Sequence, residues 1–165
     1  MLFFTKENSL NVDKNRIHVN ELEYILKGEK VLEVEEVEIE NIPEKFNFIW
    51  NGNIPKTFKL ERKYNLYTRS NIEKPIFDIL RDYVLEYKNE KGNKITISFS
   101  EVGKPLRDYQ VQEGKLSKIN DTDVNISYYK KMYIVRFKYQ NIYFDIEAEN
   151  ISLDELTLLL KTMLK

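Results

Sequence analysis

Between Tyr133 and Ala148 the chain alternates with period two on both sides of a polar pair, and this pattern limits its fold more than any other feature. Tyr133, Val135, Phe137 and Tyr139 form one face, and Ile142, Phe144, Ile146 and Ala148 form its match. With Gln140-Asn141 as a two-residue turn, Phe137 falls opposite Phe144, and Arg136 falls opposite Asp145 on the other side. A slip of one residue would turn every apolar side chain away from its partner, so the pattern specifies the register. A second hairpin has the same logic. Tyr87 opposes Ile95, Leu85 opposes Ile97 and Tyr83 opposes Phe99 across the turn Asn89-Glu90-Lys91-Gly92-Asn93.

The remaining elements are arranged around these hairpins. Val124, Ile126 and Tyr128 alternate in a strand that ends at the turn Lys130-Lys131, and a short strand is expected near 116–119. Residues 16–39 read as strand-rich, with a one-residue phase change between Val34 and Val37 that predicts a bulge; residues 21–27 also allow a short helix. Phe46–Trp50 and Phe58–Tyr67 read as short aromatic strands between proline- and glycine-marked loops. Pro75 followed by Ile76, Phe77, Ile79 and Leu80 predicts a short helix near 75–81, because proline suits the first helical position. The segment 102–115 reads as a connection. At the end of the chain, Ser152-Leu153-Asp154-Glu155 is a capping box, and Leu153, Leu156, Leu159 or Leu160, and Met163 make an apolar helical stripe. The predicted class is α+β: a sheet of predominantly antiparallel hairpins packed by a C-terminal amphipathic helix and the short helix near 75–81.

Length and composition bound the rest. A chain of 165 residues with 42% hydrophobic and 13% aromatic side chains can bury a core without staples. The predicted organisation is a tail or juxtamembrane stalk over 1–15 and one α+β domain over 16–165, in which 16–70 could form an N-terminal β subdomain. There are 26 basic and 27 acidic side chains, which disfavours a nucleic-acid partner held by phosphate neutralisation. The absence of cysteine excludes disulfides and thiolate chemistry. No apolar run approaches the roughly 18 residues of a membrane span. The start Met1-Leu2-Phe3-Phe4 allows two readings, an N-terminal strand or the trailing end of a membrane helix.

Residues that could carry chemistry have plain explanations. His18, the one histidine, lies between Ile17 and Val19 and reads as a surface side chain on a strand. The acidic run Glu33, Glu35, Glu36, Glu38 and Glu40 lacks the Asp/Asn-Gly loop of a calcium motif and reads as a solvated face protecting a sheet edge. Asn120-Asp121-Thr122-Asp123 lacks the closing glutamate of such a motif and reads as a turn. Asp82, Glu86, Asp108 and Asp145 read as surface carboxylates. The expectation is no catalytic residue, no metal and no cofactor. The tyrosine-rich sheet offers one candidate partner-binding face, Tyr143, Arg136, Lys138 and Asp145, with Tyr129 beside it, because tyrosine combines rigid contact area with a polar tip.

Four stretches carry a resemblance: Tyr83-Val84-Leu85-Glu86-Tyr87, Lys94-Ile95-Thr96-Ile97-Ser98-Phe99-Ser100, Tyr143-Phe144-Asp145-Ile146-Glu147-Ala148 and Ile151-Ser152-Leu153-Asp154-Glu155-Leu156. Over residues 83–165 the chain resembles a family of uncharacterised C-terminal domains in membrane-anchored, anti-sigma-like or lipoprotein, proteins of Gram-positive bacteria. That resemblance implies an extracytoplasmic domain of a longer tethered protein and supplies no catalytic residue. The expected function is a non-enzymatic sensory or interaction domain that binds a protein or peptide through a sheet face or edge, with no nucleic acid and with the membrane reached only through a tether outside this chain. A cytoplasmic location is the alternative placement. The alternative function is a carrier of an apolar or lipid-like ligand between sheet and helix, and a carboxylate-based hydrolase comes third.

Overall fold

The computed structural model describes residues 16–28, 33–49, 54–70, 73 and 76–165. The predicted tail or stalk over 1–15, Trp50 and Pro75 lie outside them. Eleven strands form among the described residues: β1 (Val19–Glu21), β2 (Leu26–Lys27), β3 (Val34–Glu38), β4 (Lys59–Arg69), β5 (Phe77–Lys88), β6 (Lys94–Ser100), β7 (Tyr109–Gln110), β8 (Ser117–Ile119), β9 (Thr122–Tyr129), β10 (Met132–Tyr139) and β11 (Ile142–Glu149), followed by helix α1 (Leu153–Met163). Nine strands make one sheet in the order β1-β9-β10-β11-β6-β5-β4-β3, with β8 also on β9, while β2 and β7 pair separately.

The two hairpins have the registers that alternation dictates. Phe137 pairs with Phe144 and Arg136 with Asp145, whereas Tyr87, Leu85 and Tyr83 pair with Ile95, Ile97 and Phe99. Antiparallel pairing of β11 with β6 joins them. Three tight turns, Asn120-Asp121, Lys130-Lys131 and Gln140-Asn141, carry both central residues at positive φ. This geometry matches the right-handed twist of the flanking strands and keeps them in register.

The sheet is mixed rather than purely antiparallel. β1 runs parallel to β9, with Val19 beside Ile126, and β8 lies antiparallel on the same edge of β9. The Ser117 hydroxyl joins the two short strands, accepting from the His18 amide at 2.8 Å and donating to the His18 carbonyl at 3.1 Å. Alternation at Ile17 and Val19 marks this segment as strand, but a three-residue strand from about a hundred residues away has no hairpin signal to name its partner.

The expected helix near 75–81 is the first part of β5. Leu80, Ile79 and Phe77 pair with Tyr67, Thr68 and Arg69, and register shifts leave Arg81 and Asp78 as extra residues. These bulges break the period of two and give Phe77, Ile79 and Leu80 a spacing that imitates a helix. Phe46 likewise belongs to a 3₁₀ helix, Glu44–Ile49, rather than a strand, and places Phe46 and Ile49 in the core. The bulge expected in the acidic run is absent: β3 pairs with β4 in unbroken register from Val34 to Glu38. As the sheet edge, it has little apolar burial to constrain its phase.

The core lies on one side of the sheet. Leu85, Ile95, Ile97, Phe99, Val124, Ile126, Val135, Phe144, Ile146 and Ala148 cluster with Leu156, Leu159, Leu160 and Met163 of α1. Aromatic rings organise its centre, where Phe46 meets Phe99 edge-on at 4.9 Å and Phe137 stacks on Phe144 at 4.9 Å. The capping box forms as read: the Glu155 amide donates to the Ser152 hydroxyl at 3.0 Å, and the Ser152 amide donates to the Glu155 carboxylate at 2.9 Å.

Candidate functional site: a charged layer under a strap

Alternation places polar side chains on the face opposite the helix. On that face Asn125, Arg136, Asp145, Ser98, Val84 and Tyr64 form one cross-strand row, and Ser127, Ile134, Glu147, Thr96, Glu86 and Arg62 form the next. The connection 101–116 does not loop away into solvent. It returns across this polar face as a strap, and β7 within it pairs with β2.

Charged groups and backbone atoms fasten the strap. Asp145 on β11 accepts from Arg136 at 2.5 Å and lies 3.2 Å from the Arg107 guanidinium of the strap. Arg136 also donates to the Pro105 carbonyl at 3.1 Å, and Arg81 donates to the Lys104 carbonyl at 2.5 Å. The Leu106 amide donates to Asp82 at 2.9 Å, and the Tyr109 hydroxyl donates to Glu147. Arg107 lies over the Tyr109 ring at 5.0 Å. Three consecutive strap residues are therefore held through their main chain, as an extended peptide would be.

The layer is dry enough to perturb its acids. Asp82 is 0% exposed, and burial raises its pKa above the ordinary carboxylate range, opposed by the Leu106 amide and by Arg81, 3.6 Å away. Burial likewise raises Glu147, against the hydrogen bond from Tyr109. Tyr109 is raised by burial and then by the Glu147 charge. An acid whose folded pKa is raised stabilises the fold fully below its unfolded pKa, about 4, and loses that contribution as pH rises through the folded value. Urea unfolding midpoints should therefore fall between pH 4 and pH 7 by more in the native chain than in Asp82→Asn, which keeps an acceptor for Leu106 but no titratable proton. Parallel pH profiles for the two proteins would rule out Asp82 as a source.

The five candidate face residues divide into three places. Arg136 and Asp145 form an ion pair beneath the strap, so Asp145, 5% exposed, is not the surface carboxylate expected. The correction has a physical cause: an outward position on a strand is exposed only if no other segment covers that face. Lys138 and Tyr143 pair across β10 and β11 beside this layer, with the ammonium 4.8 Å from the ring centre. Tyr129 stands at the far end of β9 opposite Met132, with Lys130 over its ring at 5.2 Å. Asp82, also expected at the surface, is fully buried. The sequence reading missed Arg81, Asp82, Arg107, Tyr109 and Glu147 as members of this layer. The available signal was the cluster Arg107-Asp108-Tyr109 in a segment too rich in large side chains for an idle connection.

The acidic run lies on the exposed edge strand β3. Glu36 and Glu38 surround Arg62, which is 2.6 Å from Glu38, while Glu33 pairs with Arg69. Among the described residues no group of three or more acidic or histidine side chains could hold a metal ion, and no helix is long and apolar enough to cross a membrane. Comparison with family models, curated proteins and solved structures finds no match for the chain.

Proposed function

We propose that the chain is a non-enzymatic interaction domain that binds a protein or peptide on the polar face of its sheet where that face lies open beside the strap. We place it on the extracytoplasmic side of a bacterial membrane, within a tethered regulator or lipoprotein. The observation that carries the binding role is the grip on the strap: Arg81, Asp82 and Arg136 hold the main chain of Lys104, Leu106 and Pro105. A face that recognises an extended backbone by side-chain donors and acceptors has the chemistry of a peptide-binding surface, and Lys138 and Tyr143 lie next to it. The placement is supported by the resemblance of residues 83–165 to tethered extracytoplasmic domains. A carrier of an apolar ligand has less support, since Phe99, Phe144, Leu156 and Leu160 fill the space between sheet and helix at 0% exposure.

The test is site-specific photocrosslinking in cells expressing the full-length gene product. A crosslinker at position 143 should give one discrete adduct, and the same probe at Leu158 on the exposed side of α1 should not. Lys138→Glu should reduce the adduct at least tenfold. Equal adducts from both positions would overturn the face assignment, and an entirely cytosolic product on fractionation would overturn the placement.

A further inference from the structure

The second feature that the core does not explain is a row of like charges at one end of the sheet. Lys59, Lys88 and Lys94 pair directly across β4, β5 and β6. Like charges directly opposite one another destabilise a sheet, so such a row opposes folding unless something neutralises it. Lys59 and Lys88 open onto a groove of about 990 Å³, which Lys56 and Lys91 also line. None of these four lysines forms an ion pair with a described residue. Glu61, Glu90 and Glu155 reach the same groove, but Glu155 is committed to capping α1. Buried Phe58 and Ile151 contribute apolar lining, and Asn89 and Asn93 contribute amides.

We propose that this groove is the seat of an acidic peptide segment, whose carboxylates meet Lys56, Lys59, Lys88 and Lys91. Within the groove Lys59 and Lys88 sit on neighbouring strands about 4.8 Å apart, and Lys56 and Lys91 lie three residues beyond them along the chain. Four lysines lining a groove of this volume exceed what one phosphate or carboxylate can occupy and suit acids repeated along an extended chain, where same-side residues recur every 7 Å or so. The apolar lining gives the peptide's carbon skeleton a surface, and the amides can meet its main chain. The inference rests on the reading of this chain as a binding domain and names the chemistry of its partner. Lys59, Lys88 and Lys94 continue the polar rows past Arg62, Glu86 and Thr96, at the end of the sheet away from Lys138 and Tyr143.

The experiment titrates the purified chain with a fluorescent ten-residue polyglutamate peptide, with polyglutamine as control, and follows anisotropy. Polyglutamate should bind, polyglutamine should not, and affinity should fall as salt is raised. The variant Lys59→Glu/Lys88→Glu/Lys91→Glu should weaken binding at least tenfold, while Lys138→Glu leaves it unchanged. Folding is checked with Lys88→Glu alone: it replaces two like-charge pairs by opposite ones, so its urea midpoint should not fall below that of the native chain. Absence of polyglutamate binding, or binding indifferent to the lysine changes, overturns the proposal. So does a lysine-dependent interaction seen only with vesicles of phosphatidylglycerol, or only as self-association in sedimentation. Failure here leaves the crosslinking result at position 143 standing, and failure there leaves this titration standing.

Discussion

Replacing Phe144 by alanine is expected to cost about 3–5 kcal/mol, the range for large aromatic truncations in a packed core. Phe144 is 0% exposed, stacks on Phe137 at 4.9 Å and Phe99 at 5.9 Å, and meets Phe48 edge-on at 6.1 Å. Its loss removes apolar burial and leaves three rings facing a void that strands bonded on both sides cannot close. A single domain has roughly 5–15 kcal/mol in total, so the variant should unfold at a much lower urea midpoint or fail to accumulate. The adjacent Tyr143→Ala, on the opposite face, is the internal control and should change stability by about 0.5 kcal/mol or less. Comparable losses at the two positions would mean that β11 does not have the stated facing.

The second large effect belongs to Asp145. Its carboxylate lies between two guanidiniums, and removing one partner of a buried ionic group leaves uncompensated charge, costing about 3 kcal/mol or more. Asp145→Ala strands Arg107 at the strap and Arg136 on the sheet. Arg107 already has a buried Nη1 without a hydrogen-bond partner, so losing Asp145 adds a second unmet donor to the same side chain. The loss should be localised as well as global. Trypsin should cut after Arg107 in Asp145→Ala under conditions where the native strap is spared, because the strap is held by these contacts rather than by an apolar core. Combining Asp145→Ala with Arg107→Ala should cost less than the sum of the two single changes, since both remove one interaction. Strict additivity would show that the contact contributes nothing.

These two positions also show how far the sequence could be read. Phe144 and its register were legible because a hairpin is local: a period of two, a two-residue turn and facing apolar sets all agree within sixteen residues. The helix was legible for the same reason, its cap and stripe lying within one short window. The bulges at Asp78 and Arg81 break the period, so the spacing predicts a helix where a strand forms. The charged layer was invisible for a different reason. Asp145, Arg107 and Asp82 meet only because the strap folds back over the sheet, and polar residues at alternate positions look the same whether water or another segment covers them. Arg136 opposite Asp145 was legible as a pair, but its burial was not.

The seam between β1 and β9 sets a schedule for synthesis. Asn20 and Asn125, whose side chains are 3.3 Å apart, are separated by 105 positions. At about 5–20 residues per second, the early strand waits on the order of 5–20 s for its template to leave the ribosome. Through that interval Ile17 and Val19 have no completed core to join, and β9, once made, has a bare rim until they return. Cells that slow translation past Tyr129, or deplete chaperones that shield nascent chains, should accumulate more insoluble product than faster-translating ones.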